Sequence, residues 1–230
     1  MKKLSKRLKN AKQLITEKEY SIKEAIELLK KTATAKFDES TEVHISLNID
    51  PKYADQQLRT TLVLPKATGK NIRLAVLLSE DKIRPEYKEQ ADIVGSNDLI
   101  EKITKGELNF DILIATPDMM PKLAKLGRVL GPKGLMPSPK AGTVTDNIEV
   151  TIQEFKKGKV EYKADRTGIV HLSFGKISFT NEDLLDNLLA VYRSIEQNKP
   201  SGVKGRYFNS FYICNSMGPS IQINLSDLKD

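Results

Sequence analysis

Apolar and polar positions recur with two different periods along this chain, and each period predicts its own kind of element. Near the N-terminus, apolar residues return every three or four positions among lysines and arginines, which predicts a basic amphipathic helix around residues 2–15. Ser21 and Glu24 have the spacing of a capping box, so a second helix is predicted from there to about Thr32. The chain therefore opens with two helices, and the first of them is strongly basic.

Strict alternation begins at Val43, where apolar residues occupy every second position as far as Ile49. This period predicts a strand with one buried face and places His44 on the outward face. A further strand is predicted at about residues 59–64.

After Thr68 and Gly69 the pattern changes to short, continuous apolar runs separated by helical periods. The runs at 72–78 and 111–115 are typical of strands buried on both faces, and a short strand is predicted at 92–94. Helices are predicted at about 84–90, 97–105, 117–126 and 146–156. This alternation predicts an inserted three-layer, Rossmann-like α/β domain with a small parallel sheet over residues 68–158.

Alternation returns at residue 159, with strands predicted at 160–164 and 169–174 around a turn. Antiparallel pairing of these two strands is the simplest interpretation. Asn181 is predicted to cap a long amphipathic helix that Pro200 and Gly202 end, and two strands at about 206–214 and 220–225 complete the chain. Residues 1–67 and 159–230 are therefore predicted to form one discontinuous α+β domain.

Charge points to a polyanionic partner. The chain of 230 residues has a net charge of +7, and residues 1–36 hold 11 Lys or Arg against 4 acidic residues. A second basic feature is the segment from Gly127 to Val144, which contains seven Gly or Pro residues and is therefore predicted to be an ordered loop. Between Met119 and Thr145 there are five Lys or Arg and no acidic residue, so the local field favours an anion.

The candidates for catalysis are weak. The chain has one cysteine and two histidines, so no intramolecular disulfide is possible, and carboxylates would have to complete any metal shell; neither a metal site nor a cofactor is predicted. Cys214 is interpreted as a buried structural cysteine of an apolar strand, in preference to a nucleophile paired with His44 or His171.

The P-loop and the Rossmann glycine fingerprint are both absent, and no apolar run is long enough to cross a membrane. The chain is predicted not to be an enzyme, and a nucleotide-binding protein built on the α/β segment stays an alternative.

Four segments carry a family resemblance. They read KFDESTEVHISLNID from Lys36, GRVLGPKGLMPSPKAGTV from Gly127, DRTGIVHLSFGK from Asp165 and SMGPSIQI from Ser216. Together, and in this order, they closely resemble the L-one family of large-subunit ribosomal proteins over about residues 1–225.

The resemblance implies a two-domain protein in which the α/β domain is hinged on the discontinuous one. It also implies binding to large-subunit rRNA at the mobile stalk near the exit site, beside other large-subunit components, and help in the release of deacylated exit-site tRNA. Many bacterial members also repress their own operon mRNA. The implied location is the ribosome of a bacterial cytoplasm or of a plastid (chloroplast) stroma, with no membrane partner, and the sequence leaves these two origins open.

The resemblance also implies which residues bind rRNA. Ser216 stands where many members have Thr, and either hydroxyl serves as donor and acceptor. Gly218 is expected to let RNA approach the backbone closely, because glycine has no side chain. Glu39 and Glu42 are expected to accept hydrogen bonds from 2′-hydroxyls or base amino groups, and Phe37 either stacks on a base or anchors the core. The implied rRNA-binding residues are Lys36, Phe37, Asp38, Glu39, Ser40, Glu42, Arg166, Thr167, Gly168, Ser210, Ser216, Met217, Gly218 and Pro219, and a secondary RNA contact is assigned to Arg128, Lys133 and Lys140.

Overall fold

The computed structural model describes residues 5–16, 18–67, 69 and 72–228. The helices are α1 (Lys6–Gln13), α2 (Ile22–Thr32), α3 (Pro85–Gln90), α4 (Asn97–Thr104), α5 (Met120–Ala124), α6 (Gly127–Leu130), α7 (Ile148–Lys156) and α8 (Asn181–Gln197). The strands are β1 (Ser40–Leu47), β2 (Arg59–Val63), β3 (Leu74–Leu77), β4 (Ile93–Gly95), β5 (Ile112–Ala115), β6 (Lys159–Lys163), β7 (Ile169–Lys176), β8 (Phe208–Asn215) and β9 (Ile221–Ile223). Two predicted features, the first residues of the basic helix (2–4) and the pattern change at Thr68, lie outside the described residues.

Contacts between residues divide the chain into two compact units. The discontinuous unit consists of Met1–Gly69 and Val160–Asp230, and the inserted unit of Lys70–Lys159.

The discontinuous unit contains an antiparallel sheet in the order β7-β1-β8-β9. Along β1 every second residue is buried, among them Val43 and Ile45, and these side chains join the core beneath α2 and α8. The opposite face of the sheet is only half-covered, and we call it the open face. Its members are Glu42, His44 and Ser46 of β1, His171 and Ser173 of β7, and Ser210, Tyr212 and Cys214 of β8.

The pairing predicted for residues 160–164 and 169–174 is wrong. Strand β6 pairs with β2 in a separate two-stranded sheet, while β7 runs antiparallel to β1. The two segments share a single isolated antiparallel bridge, between Ala164 and Val170. Alternation identifies a strand but not its partner, and here β1 and β2 together provide the partners for β7 and β6.

Helix starts in this unit follow side-chain caps. Ser21 and Glu24 form the predicted capping box, in which each side chain accepts a hydrogen bond from the other residue's backbone N–H. The cap of α8 is Thr180 and not Asn181, because the Thr180 hydroxyl accepts the backbone N–H of Asp183. Within α8, the buried Asn187 is hydrogen-bonded to the backbone of Lys66, which holds the segment after β2 against the helix.

The inserted unit contains the predicted small parallel sheet, in the order β4-β3-β5. On one face of β3, Ala75 and Leu77 pack with residues of α4, α5 and α6, and on the other, Leu74 and Val76 pack with α3 and α7. The helix predicted at 117–126 is broken into a 3₁₀ turn, Pro117–Met119, followed by α5. Within the described ranges, no helix is both long and apolar enough to cross a membrane.

Candidate nucleic-acid interface

The predicted rRNA-binding residues fall at opposite ends of β1. Residues 36–42 and 216–219 meet at the start of this strand, and we call them the Phe37–Met217 cluster. Residues 165–168, which we call the Arg166 turn, lie beyond its end, where the backbone N–H of Leu47 donates to the carbonyl of Gly168 at 3.0 Å. Ser46 is six positions after Ser40 along the strand, which corresponds to about 20 Å. The remaining predicted residue, Ser210, pairs with Ser46 near the Arg166 turn.

Glu39 links the two segments of the Phe37–Met217 cluster. Its side chain is 2% exposed, and its carboxylate accepts the backbone N–H of Ala35 at 2.9 Å and that of Met217 at 3.0 Å. A buried carboxylate with two such donors fixes the positions of both segments. The expectation that Glu39 accepts hydrogen bonds from RNA is therefore not supported by its position, and we assign it to positioning.

Ser40 and Ser216 form a second connection between the same segments. The backbone N–H of Ser216 donates to the Ser40 carbonyl at 3.1 Å, and the Ser216 hydroxyl accepts the Ser40 backbone N–H at 3.2 Å. The neighbouring Asn215 is buried and donates to the Leu29 carbonyl at the end of α2. The turn after β8 is thus attached both to β1 and to a core helix.

Two large apolar side chains project from this rigid base. Phe37 is 55% exposed and Met217 is 51% exposed. Exposed apolar groups of this size, held on restrained backbone, are suited to stacking on bases or packing against sugars. This exposure excludes the interpretation in which Phe37 anchors the core and leaves stacking on a base as its expected role.

Cationic groups of the cluster itself and of α1 are available for phosphates. Lys36 is exposed, and the guanidinium of Arg7 on α1 donates to the Met217 carbonyl at 3.3 Å. Lys6, Lys9 and Lys12 on the same helix are exposed. Asp38 instead accepts the backbone N–H and the hydroxyl of Ser178, at 3.1 and 2.9 Å. The contact of Arg7 with Met217 was not predicted from the sequence, because no local pattern indicates a contact between residues 210 positions apart.

The Arg166 turn is organised by Asp165, whose carboxylate accepts the backbone N–H groups of Thr167 and Ile169, both at 2.8 Å. The hydrogen bond from Ile169 contributes most to lowering the pKa of Asp165, and the bonds from Thr167 add to it. Arg166 and Thr167 are exposed. Gly168 is buried with φ +78°, and a Cβ there would lie 2.9 Å from the Ile49 carbonyl oxygen, so its role is to shape the turn.

Two further predicted contacts at the Phe37–Met217 cluster also face inward. Pro219 is buried. Gly218 is half-buried, and a Cβ there would lie 3.1 Å from Cβ of Asn215. The glycine thus serves the packing of the turn against Asn215, and the expectation that it admits RNA to the backbone stays a prediction.

The open face between these two ends is polar, and it includes Cys214, which the sequence predicted to be buried. His44 Nδ1 lies 2.8 Å from Nδ1 of His171, and His44 Nε2 lies 3.1 Å from the sulfur of Cys214. Cys214 is half-buried on this face and not in the core, because strand alternation sends Ile213 inward. Burial lowers the pKa of His44, with repulsion from His171 as the second cause. Burial, together with the charge of Glu42, raises the pKa of the Cys214 thiol to about 11.

The Gly and Pro-rich segment of the inserted unit is anchored at both ends. Leu130 is buried where α6 ends, and the carbonyl of Thr143 accepts the Ala115 backbone N–H of β5 at 2.9 Å. Its first four residues are helical, contrary to the expectation of a loop beginning at Gly127. The cations assigned to a secondary contact, Arg128, Lys133 and Lys140, are all exposed.

Comparison with known proteins gives a consistent result. The sequence model of the family described as "Ribosomal protein L1p/L10e family" matches residues 29–219. The chain is 60% identical over 230 residues to "Large ribosomal subunit protein uL1c" of Guillardia theta, which covers 100% of this chain and 98% of that protein. It is 61% identical over 226 residues to the protein of the same name from Phaeodactylum tricornutum, covering 98% of each. It is also 58% identical over 230 residues to "Large ribosomal subunit protein uL1" of Thermosynechococcus vestitus, covering 100% of this chain and 97% of that protein.

Proposed function

The chain belongs to the ribosomal protein L1p/L10e family, and from this membership we propose that it binds large-subunit rRNA at the mobile stalk through its discontinuous unit. The resemblance drawn from the four motifs is confirmed, and so is the prediction that the chain is not an enzyme. Its role is that of a structural constituent of the large ribosomal subunit, in a ribosome of the plastid or cyanobacterial type.

The observation that carries the proposed site is the pair of exposed side chains Phe37 and Met217, held on segments that the buried Glu39 joins. Lys36, Arg7 and Arg166 provide attraction to phosphates, while the open face offers hydroxyl, imidazole and carboxylate groups to 2′-hydroxyls and bases. A surface with both signs of charge reads RNA shape and hydroxyls in addition to charge. A purely basic surface would bind any duplex, with affinity set by counterion release.

The proposal is tested by measuring affinity for a stalk rRNA fragment and for a random duplex of equal length at the same salt concentration. We expect clear preference for the stalk fragment; equal affinities would refute the proposal. Phe37→Ala and Met217→Ala should each weaken binding by about 5- to 150-fold, which corresponds to roughly 1–3 kcal/mol for a base contact. Val63→Ala is the matched control, because this side chain is 47% exposed on β2 and lies outside both predicted clusters.

A secondary contact through Arg128, Lys133 and Lys140 is supported by their exposure on an acid-free segment. Replacing all three by Ala should make the plot of log affinity against log salt concentration less steep. Its slope should decrease in magnitude by roughly 0.7–0.9 for each phosphate that is no longer neutralised. Replacing Lys105, Lys156 and Lys157 removes the same charge from other positions of this unit and serves as the control. Equal slopes of log affinity against log salt concentration in the two triple variants would refute the secondary contact.

Two finer functions are proposed from the family resemblance. Help in the release of deacylated tRNA predicts that ribosomes without this protein release exit-site tRNA more slowly, and unchanged release would argue against it. Repression of its own mRNA relies on the same RNA-binding surface. It predicts that excess protein lowers expression of a reporter carrying the operon leader and that Met217→Ala relieves the effect.

A further inference from the structure

Three side chains with metal-ligating atoms meet on the open face: Glu42, His44 and Cys214. One ligand atom from each lies within 4.8 Å of the other two. We propose that these three residues form a zinc site that joins β1 to β8, with water completing the shell. The proposal concerns the free protein and does not rest on RNA binding.

The register of the sheet explains why these residues meet. Glu42 and His44 are two positions apart on β1 and therefore share a face. Cys214 on β8 is directly opposite Glu42 and diagonal to His44, which pairs with Tyr212. Cross-strand neighbours at these positions are within reach of each other's side chains. Two separate strands thus contribute ligands, and an ion bound there would fasten them together.

The separations suit a small ion. His44 Nε2 is 3.1 Å from the Cys214 sulfur and 3.9 Å from Glu42 Oε2. Zinc bonds of about 2.3 Å to sulfur and about 2.0–2.2 Å to nitrogen or oxygen place tetrahedral ligand atoms roughly 3.3–3.6 Å apart. These two distances lie on either side of this range, so adjustments of about half an ångström would bring His44 to a suitable distance from each of the other two donors. The Glu42 and Cys214 ligand atoms lie within 4.8 Å of each other.

The donor types select zinc over harder ions. Calcium and magnesium require several oxygen ligands, and this site offers one carboxylate. A thiolate, an imidazole and a carboxylate are the ligands that zinc accepts, and three protein ligands leave a position for water. The side chains of His44 and Glu42 are 31% and 40% exposed, so water reaches the site.

A second shell is already present. With His44 Nε2 directed at the metal, its Nδ1 carries the proton and donates to Nδ1 of His171, 2.8 Å away. His171 Nε2 in turn lies 3.7 Å from a carboxylate oxygen of Asp165. Metal-bound histidines are commonly oriented by such a partner on the other ring nitrogen. Composition indicates only that a carboxylate would have to complete any shell, whereas the pairing of strands identifies that carboxylate as Glu42.

The test uses the reduced, full-length chain without an affinity tag, titrated with Co²⁺ as a spectroscopic substitute for zinc and then with Zn²⁺. The chain has one cysteine, so a thiolate-to-cobalt charge-transfer band can arise only at Cys214. We expect this band to appear with one equivalent of Co²⁺ and to disappear when Zn²⁺ displaces it. Absence of the band in the wild-type chain would overturn the proposal without any variant.

Variants then separate ligands from neighbours. Cys214→Ser should abolish the charge-transfer band, and His44→Gln and Glu42→Gln should each weaken Zn²⁺ binding by at least tenfold. His171→Gln should weaken it by about 10- to 100-fold while keeping the band, as expected for a second-shell partner. Glu27→Gln removes an exposed carboxylate from α2 and should change nothing, provided that circular dichroism shows all variants folded. If Glu42→Gln and Glu27→Gln behave alike, Glu42 is not a ligand and the three-residue site is refuted.

Discussion

Replacing Glu39 by Gln tests whether this residue acts through the geometry of the interface or through direct contact with RNA. The Glu39 carboxylate accepts two backbone N–H groups, from Ala35 and Met217, while its side chain is 2% exposed. Glutamine keeps one carbonyl oxygen and presents an NH₂ group to the other donor, so one hydrogen bond to a charged acceptor is lost. Such a bond contributes about 1.5–3 kcal/mol. Because Met217 is an exposed residue, we expect a loss near the lower end, about 2 kcal/mol.

Urea denaturation followed by tyrosine fluorescence measures this loss. The chain has seven tyrosines and no tryptophan, and Tyr87 is the one tyrosine in the inserted unit, so the signal reports mainly on the discontinuous unit. Hydrogen exchange at the backbone amide of Ala35 or of Met217 should accelerate in Glu39→Gln, because one of these two N–H groups loses its acceptor.

The RNA measurement uses Asp38→Asn as the control. Both substitutions remove one negative charge from the same segment, so electrostatics alone would leave RNA affinity unchanged or raise it in both. Without the Glu39 connection, the segments that carry Phe37 and Met217 must be ordered when RNA binds, which costs free energy. We therefore expect about tenfold weaker binding for Glu39→Gln but not for Asp38→Asn. If Glu39→Gln binds stalk RNA as tightly as Asp38→Asn does, the assignment of Glu39 to positioning is wrong.

Three further predictions concern stability. Gly205 has φ +78° and open space for a Cβ, so Gly205→Ala should cost only the roughly 1 kcal/mol needed to place alanine in a left-handed conformation. Gly168→Ala should destabilise the fold by more than this, because its Cβ would also meet a carbonyl oxygen. Equal losses of stability in urea denaturation would contradict this prediction. Asn187→Leu removes three hydrogen bonds to the backbone of Lys66 and Phe174 and should cost about 2–4 kcal/mol by the same measurement, and a loss below about 1 kcal/mol would contradict it. The pKa of His44 is lower in the folded chain than in the unfolded chain, so on acidification the unfolded chain binds the proton at a higher pH. The free energy of unfolding should therefore fall as pH drops through about 6.5, with a slope of at most about 1.4 kcal/mol per pH unit. His44→Gln should make the fall shallower, and an unchanged profile would refute this cause.

Local patterns predicted most elements of the fold. The capping box at Ser21 and the alternation from Val43 involve neighbours in sequence, and α2 and β1 lie where these patterns place them. The parallel sheet also followed from continuous apolar runs, since strands covered on both faces have no polar positions to alternate. The pairing of β6 was predicted wrongly, because alternation carries no information about which strand lies alongside.

The candidate site was less accessible to such reasoning. The motifs indicated the right segments, but exposure divides their residues into groups that a motif cannot distinguish. Phe37 and Glu39 are two positions apart, yet one is 55% exposed and the other 2%. The difference arises from the Met217 backbone, which approaches Glu39 from 178 positions away. Cys214 was misplaced for a related reason, since an apolar sequence context did not reveal that its strand alternates toward an open polar face.

The burial of Glu39 also bears on how a basic protein achieves specificity for RNA. Lysines and arginines on flexible side chains attract any phosphate backbone, and they contribute little to the choice between sequences. Phe37 and Met217 select only if they are held at a fixed separation, because a base contact at one position must coincide with a contact at the other. A buried carboxylate between their two backbones provides this constraint without presenting negative charge to the RNA. The acidic residues in the first motif are therefore compatible with RNA binding, and in the case of Glu39 the charge serves the backbone of the protein itself.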